Sequence, residues 1–182
     1  MNKIHQFLET PHSTEEYKEF VKELCYFGSI PTELDQFFVD PASTKYHGCN
    51  PNGLIIHSLR VYACALDLAP AFGFTEDHID ARACILHDLC KMGMYVPNTY
   101  SGGAPYMWNP NADPALHGYE SVVRLYKLGI EISSKAWELA IEFHMGAFEE
   151  YNSQNYSKAC QKYPEVLLLH TADMMASTKY HN

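Results

Sequence analysis

The stretch ACILHDLCKMG, residues 83–93, sets a histidine and an aspartate side by side, His87 and Asp88, within an apolar run. The surrounding apolar residues predict a buried helix over about 76–92, which Thr75 can cap. Two ionisable side chains buried in such a helix are costly unless other polar or charged groups compensate them. The pair therefore predicts that polar residues from other parts of the chain converge on this helix.

Helical spacing continues through most of the chain on both sides of this stretch. Ser13 followed by Glu16 is a capping-box signature, and the apolar positions after it continue to Gly28, ahead of a short helical turn near 32–38. Further helices are expected at residues 53–69, 117–128, 134–145, 153–162 and 164–179. Residues 39–53 and 93–116 have the Gly, Pro and Asn content of loops, and no strand pattern stands out. The sequence predicts an all-α, single-domain protein.

Composition limits the kind of partner. The 182 residues are 47% hydrophobic, and 13 Lys+Arg against 22 Asp+Glu give a formal net charge of −9, which opposes the basic surface that a long nucleic acid requires. No apolar run is expected to be long enough to span a membrane, and the N-terminus lacks the apolar core of a signal peptide. Six cysteines without a CxxC pair indicate neither a zinc finger nor a disulfide framework. We expect a cytoplasmic protein that binds a small molecule and no membrane.

The ten histidines fall into two groups. Five lie in polar or terminal segments, where surface or capping roles are expected: His5, His12, His47, His78 and His181. The other five lie in apolar or helical contexts: His57, His87, His117, His144 and His170. Each of these alone would more often be a core histidine with its own hydrogen bonds. If all five, together with Asp88 and Asp173, were unrelated core residues, the fold would need a separate set of buried polar partners for each one. A shared divalent metal centre satisfies most of them at once, since imidazole and carboxylate are the usual ligands of Fe, Mn, Zn, Co and Ni.

The order of these residues resembles that of a known family. His57, then His87-Asp88 followed by Lys91, then His117, His144 and Asp173 are similar to the pattern of the HD-domain metal-dependent phosphohydrolase superfamily, over roughly residues 50–180. The resemblance implies a single HD-type helical domain, 1–182, with a metal-binding core at about 50–180 on which N-terminal helices, 13–38, pack.

The resemblance also implies a ligand set. One metal ion is held by His57, His87, Asp88 and Asp173. In members with two ions, Asp88 bridges them, and His117 and His144 complete the second site. We expect two divalent transition-metal ions (Fe, Mn, Zn, Co or Ni). The alternative is a single ion, with His117 and His144 binding the substrate.

Asp88 and Lys91 are the predicted catalytic residues. Two ions would activate a water and hold the phosphoryl oxygens of the substrate. Lys91, at i+3 from Asp88, is expected on the metal-facing side of the helix. If metal compensates His87 and Asp88, Lys91 has no obligatory carboxylate partner and is free to bind the anion. The alternative is a solvated lysine at a helix end.

Other polar and aromatic residues are candidates for lesser roles. Arg60 and Glu120, each one turn after a predicted ligand, could bind the substrate or form surface pairs. His170 is either a residue that holds a ligand by a hydrogen bond or a core histidine. In the loop 93–116, Tyr95 and Trp108 could contact the substrate or pin the loop to the core.

These residues predict a phosphomonoesterase or phosphodiesterase that acts on a nucleotide or another small phosphorylated metabolite through a metal-activated water. The segment MGAFEEYNSQ after His144 lacks the second His and the GYP of the cyclic-di-GMP phosphodiesterases, and HDLCKM lacks the HDxxED of the ppGpp hydrolases. The chain is also shorter than the dNTP triphosphohydrolases. Two alternatives stay open: a mixed-valent di-iron oxygenase of the same fold, and a non-catalytic nucleotide-binding regulatory module.

Overall fold

The computed structural model describes residues 2–100, 102–112, 117–146 and 153–179. Within these ranges the chain is mostly helical and forms a single two-stranded sheet, which confirms the all-α class. The α-helices are α1 Lys3–Phe7, α2 Thr14–Leu24, α3 Gly53–Leu68, α4 Ala81–Leu86, α5 His117–Lys127, α6 Lys135–Glu142, α7 Ser153–Lys162 and α8 Pro164–Lys179. Short 3₁₀ helices cover Thr32–Phe38, Ala69–Phe72, Glu76–His78 and Leu89–Lys91, and the strands are β1 Tyr95–Pro97 and β2 Tyr106–Trp108.

Helix α3 forms the centre of the core. It packs against α8 and α4, while α6 packs against α8 and α5, and α5 also contacts the 3₁₀ helix Leu89–Lys91. Leu54 and Leu59 of α3 and Leu168 of α8 are fully buried. Burial of each such side chain contributes about 1.5–3 kcal/mol, so these contacts fix α3 and α8 beside each other.

The core helix corrects one prediction from the sequence. The continuous segment Gly53–Phe72, 20 residues long, is apolar and long enough to cross a membrane by length and composition, so the expectation that no such run exists was wrong. More than half of its most apolar part is buried inside the fold, which is typical of the core helix of a globular protein.

The helix expected over 76–92 is interrupted. Thr75 precedes only a 3₁₀ turn, and α4 is capped instead by Asp80, whose side chain accepts a hydrogen bond from Ala83 N at 3.0 Å. The α-helix ends at Leu86, and Asp88 leaves helical geometry with φ −101° and ψ 23°. The break is stabilised from α5, because Ser121 Oγ accepts from Cys90 N and Arg124 donates to the Leu89 and Met92 carbonyls.

The loop 93–116 contains a hairpin that the sequence did not indicate. Tyr95 lies opposite Trp108 in the antiparallel pair of β1 and β2. Three-residue strands are too short to give a period-two pattern. The hairpin contacts the loop before α3, because Tyr106 N donates to Thr44 O and Gly93 N donates to Asp40 Oδ2.

Segments before residue 39 lie against the core. Helix α1, which the sequence analysis missed, is capped by Asn2, whose side chain accepts from the Ile4 and His5 amides. Both α1 and the 3₁₀ helix Thr32–Phe38 contact α3, and Phe37 and Phe38 are fully buried. The assignment of the whole chain to one domain stays a prediction.

Candidate metal centre

Six ionisable side chains meet at the centre of the bundle. They are His57 on α3, His87 and Asp88 at the end of α4, His117 at the start of α5, His144 after α6, and Asp173 on α8. Three overlapping groups among the described residues have ligand atoms within 4.8 Å of one another: His57, His87 and Asp88; His87, His144 and Asp173; and Asp88, His117 and His144. The fold therefore brings together all six residues that the sequence analysis proposed as metal ligands.

Asp88 lies between two sets of histidines. Its Oδ2 is 3.4 Å from His57 Nε2 and 3.3 Å from His87 Nε2. Its Oδ1 is 2.8 Å from His117 Nε2 and 3.4 Å from His144 Nε2. The carboxylate is almost completely buried and presents one oxygen to each pair, which is the arrangement that a bridging ligand needs.

Asp173 completes the His57 side of the cluster. Its Oδ1 is 3.1 Å from His57 Nε2 and 3.8 Å from His87 Nε2. A ligand atom of Asp173 also lies within 4.8 Å of one on His144. Asp173 therefore joins His57 and His87 on one side of the cluster and is close to His144 as well.

The histidine nitrogens in this cluster are suited to a metal. Among the described residues, His57 Nε2, His87 Nε2 and His144 Nε2 are buried without a hydrogen bond, although carboxylate oxygens lie within 4 Å. Buried polar atoms are rarely left unpaired in a folded protein. Three imidazole nitrogens that converge on two carboxylates, without hydrogen-bond geometry, form a donor set that a divalent ion fits.

Hydrogen bonds at the other ring nitrogens fix the orientation of two of these histidines. His87 Nδ1 lies 2.9 Å from Cys84 O, and His144 Nδ1 lies 2.7 Å from Ile141 O. Because a carbonyl only accepts, each Nδ1 must carry the proton. In a neutral ring this leaves the lone pair on Nε2, which faces the cluster, as in most metal-binding histidines.

His117 is held differently. Its Nδ1 lies 3.5 Å from the sulfur of Cys90, and its ring is partly exposed. The next residue, Gly118, lies so close to α6 that a Cβ there would be 2.3 Å from Glu142 O. Glycine thus permits α5 to approach α6 at the point where α5 presents His117 to the cluster.

Charges within the cluster stabilise one another. Burial alone would raise the pKa of the Asp88 carboxyl, but Lys91 and the histidines outweigh it and hold that pKa well below its usual range. Burial also opposes the charge of Asp173, yet His57 lowers the pKa of this carboxyl. In return, Asp173 and Asp88 raise the pKa of His57 against the effect of its burial. Both carboxylates are therefore ionised at neutral pH and able to bind a cation.

Lys91 lies on the side of the chain that faces the cluster, and its Nζ is 2.7 Å from Asp88 Oδ2. That a bound metal would leave this ammonium free for an anion stays a prediction. The interruption after α4 places Lys91 in a 3₁₀ turn, where residues three apart lie above each other. Burial disfavours the ammonium charge, while Asp88 and Asp173 raise its pKa.

The aromatic candidates, Tyr95 and Trp108, lie in the hairpin that follows Lys91 along the chain. Tyr95 is half-buried, burial raises its pKa, and the charge of Lys91 opposes that rise. The Trp108 ring lies 5.4 Å from the Tyr95 ring and is 60% exposed. Tyr95 is thus close enough to Lys91 to feel its charge, and Trp108 is its aromatic neighbour.

The remaining candidates make other contacts. Glu120 accepts a hydrogen bond from Arg124 Nε at 2.9 Å, so its carboxylate is paired within α5. Arg60 lies near Tyr17 of α2 and lowers the pKa of its hydroxyl, against the dominant effect of burial. His170 Nδ1 lies 2.6 Å from His144 O and thus contacts the backbone of a ligand residue.

Two residues near the cluster were missed by the sequence analysis. His47, which was expected in a surface or capping role, has its ring 4.8 Å from the His57 ring. Its Nε2 is 3.4 Å from Ser177 Oγ, and Ser177 Oγ is 3.5 Å from Asp173 Oδ1. Burial, then the neighbouring His57 and Lys91, lowers the pKa of His47 to about 4. The signal available in the sequence was its place in a tight Gly- and Pro-containing loop directly before the helix of His57.

Three of the other histidines with expected surface or capping roles make contacts outside the cluster. His5 lies 2.8 Å from Asp67, His12 stacks on Phe7, and His78 lies 2.9 Å from Glu165. His181 lies outside the described residues.

The chain matches the model of a known protein family. A family model described as HD domain matches residues 54–177, which is more than half of the 182-residue chain and includes all six clustered residues. His47 lies before the matched segment. Neither a search of curated proteins nor a search of solved structures gives a match.

Proposed function

The chain belongs to the HD domain family, and from this membership and its histidine–aspartate centre we propose that it is a metal-dependent phosphohydrolase with two divalent ions. Membership itself indicates a metal-dependent hydrolase. The phosphate ester as substrate, the number of ions and the residue roles are the proposed part. We expect a small phosphorylated substrate, such as a nucleotide, and a location in the cytoplasm.

The observation that carries the proposal is the position of Asp88 among imidazole nitrogens that have no hydrogen bond. His57 Nε2 and His87 Nε2 face Asp88 Oδ2, and His144 Nε2 faces Asp88 Oδ1. A single ion bound at one oxygen of Asp88 would leave the other oxygen of this buried carboxylate facing only imidazole rings. Two sets around one carboxylate support two ions with Asp88 as the bridge.

The assignment of ligands follows from these contacts. His57, His87 and Asp173 would hold one ion together with Asp88 Oδ2, and His117 and His144 would hold the other together with Asp88 Oδ1. Bound divalent ions supply Lewis-acid chemistry, because they lower the pKa of a coordinated water and polarise phosphoryl oxygens. The transition metals Fe, Mn, Zn, Co and Ni all suit this nitrogen and oxygen donor set.

Lys91 would supply a positive charge from the protein to bind the negatively charged phosphate of the substrate. Its ammonium is buried beside Asp88 and has a raised pKa, so it stays charged at neutral pH. When ions take over the charge of Asp88, the ammonium can donate to an oxygen of a phosphate group in the adjacent space. It would then stabilise negative charge that develops on the phosphoryl group.

The hairpin provides the outer wall of the proposed substrate site. The charge of Lys91 acts on Tyr95, and Trp108 presents an exposed ring beside Tyr95. A phosphate bound at Lys91 would direct the rest of the molecule along these two rings. Exposed aromatic faces stack well on planar bases, which favours a nucleotide among small phosphate esters.

The test combines metal analysis with a substrate panel. Protein purified without chelator should contain about two equivalents of transition metal, because the proposed centre has two ligand sets. After metal reconstitution it should hydrolyse at least one member of a panel of nucleoside monophosphates, cyclic nucleotides, sugar phosphates and aryl phosphate diesters. A His5→Ala variant, changed at a histidine remote from the centre, should behave as wild type in both assays.

Each alternative gives a different result. Failure to bind metal after reconstitution would refute the metal centre. Turnover that requires oxygen, compared in aerobic and anaerobic reactions, would indicate the di-iron oxygenase instead. Full metal content without turnover of any ester would indicate the regulatory module.

A further inference from the structure

A line of three side chains leads from the loop before α3 to a carboxylate of the proposed metal centre. His47 Nε2 is 3.4 Å from Ser177 Oγ, and Ser177 Oγ is 3.5 Å from Asp173 Oδ1. Asp173 Oδ1 is the same oxygen that lies 3.1 Å from His57 Nε2. The line therefore ends on the oxygen directed into the cluster.

The direction of each hydrogen bond follows from the chemistry of the groups. An ionised carboxylate only accepts, so the Ser177 hydroxyl must donate its single hydrogen to Asp173. Its oxygen then accepts from His47, which must carry a proton on Nε2. Neutral imidazole can supply this donor, so the line requires no additional charge.

His47 is itself held in place by backbone contacts of its loop. Ser43 Oγ donates to His47 O at 2.8 Å and accepts from Tyr46 N at 3.0 Å. Ala42 N donates to Gly48 O at 2.8 Å on the other side of the loop. A side chain presented by such a closed turn can orient its neighbours, because its own position is restricted.

The contact with His57 adds a second restraint. The His47 and His57 rings have centroids 4.8 Å apart and are tilted by 38°. His57 Nδ1 is buried without a hydrogen bond among the described residues, unlike Nδ1 of His87 and His144. The His47 ring thus restrains His57, the proposed ligand whose Nδ1 has no backbone carbonyl to hold it.

We propose that His47 and Ser177 are positioning residues, which orient Asp173 and His57 for the ion that these two residues share. The assignment rests on the proposed metal centre. The proposal goes beyond the six-residue pattern of the centre, and His47 precedes the segment that the family model matches. Neither residue is assigned a contact with the substrate.

The hydroxyl is tested by a set of three variants of α8. Ser177→Ala should weaken binding of one of the two ions by roughly ten- to a hundredfold, which is the usual effect of losing a hydrogen bond to a metal ligand. Ser177→Thr keeps the hydroxyl and should restore most of the affinity. Thr178→Ala is the matched control, since the Thr178 hydroxyl donates to the Met174 and Met175 carbonyls of its own helix. The measurement is competition of Zn²⁺ with a chromophoric chelator, with the stoichiometry taken from elemental analysis.

The imidazole is tested in the same assay. His47→Ala should weaken the same ion, and His47→Gln, which keeps an N–H donor, should recover part of the loss. His12→Ala serves as the control, because His12 stacks on Phe7 outside the cluster. Wild-type affinity for both ions in Ser177→Ala and His47→Ala would overturn the positioning role and leave the metal centre intact. A wild-type protein that takes up no Zn²⁺ would overturn both.

Discussion

Lys91 and Asp88 form a buried ion pair at the interruption after α4, with Nζ 2.7 Å from Oδ2. The carboxylate is 1% exposed and the lysine side chain 13% exposed, so neither charge is well solvated. The same Oδ2 faces His57 and His87, so the Lys91 ammonium and the proposed ion would share this oxygen. Lys91 is therefore placed both to neutralise Asp88 and, beside a bound ion, to contact a phosphate.

This relationship predicts different effects of Lys91→Met with and without metal. In metal-free protein the change leaves Asp88 buried beside histidines alone, and the free energy of unfolding should fall by about 3 kcal/mol. In metal-loaded protein the loss should be smaller, because the ions also neutralise the carboxylate. Urea unfolding with and without chelator measures both values, and an equal loss in the two states would contradict the shared role of Oδ2.

Catalysis by the same variant should fall even where metal is retained. Loss of one charge-assisted contact to the phosphoryl group predicts a kcat/KM lower by roughly ten- to a thousandfold. Lys91→Arg should recover only part of this, because a planar guanidinium does not occupy the place of a compact ammonium. Metal content measured on the same preparations separates lost chemistry from lost metal.

The position of Asp88 predicts a difference between two ligand variants. Asp88→Asn removes the charge that both ligand sets share, so the protein should lose both ions and its activity. His117→Ala removes a ligand of one set, so about one equivalent should remain. Elemental analysis after dialysis against a weak chelator measures the difference, and equal metal content in the two variants would refute the bridge.

The clustering of the six proposed ligand residues could be predicted because several of them stand out locally in the sequence. His57 and His144 interrupt apolar helical stretches, and a buried polar residue in such a place is conspicuous in the sequence alone. The all-α class follows from the same periodicity and was confirmed by α3, α5, α6 and α8. The resemblance to a known family then indicated that these residues belong to one metal centre.

The features that were missed depend on contacts distant in sequence. The break after α4 is stabilised by Ser121 and Arg124 of α5, about 30 residues away along the chain. His47 lies in a polar loop, and only the folded chain brings it to Ser177. Local periodicity contains no information about such partners, which is why a continuous helix and a surface histidine were expected.

The burial of the thiols predicts which of the six cysteines react. Burial raises the pKa of Cys25 and of Cys90 to about 12, and that of Cys84 is also raised. Because the thiolate is the reactive form, these three should resist iodoacetamide in the folded protein at pH 8. Cys49 and Cys160, which are only half-buried, should be modified first. Mass spectrometry of the native and urea-unfolded protein checks this order, and rapid native modification of Cys90 would contradict the closed environment beside His117.

The exposed ring of Trp108 predicts a fluorescence response to nucleotides. The sequence has two tryptophans, and Trp137 is 2% exposed, with its Nε1 donating to His78 O, so a bound molecule can reach only Trp108. Adenosine 5′-monophosphate should quench the fluorescence of metal-loaded protein, because its base would stack on the hairpin. Ribose 5-phosphate carries the same phosphate without a base and should leave the signal unchanged.

The same contact should appear in the kinetics of the hairpin variants. Stacking on an aromatic side chain contributes about 1–3 kcal/mol per base, so Trp108→Ala should raise KM for a nucleoside monophosphate by roughly tenfold or more, while Trp108→Phe should keep most of the affinity. Tyr126→Ala is the matched control, since Tyr126 is 66% exposed at the other end of α5 from His117. An unchanged KM in Trp108→Ala, together with equal KM values for the two phosphates in wild type, would mean that the hairpin makes no contact with the base and that the site recognises the phosphate alone.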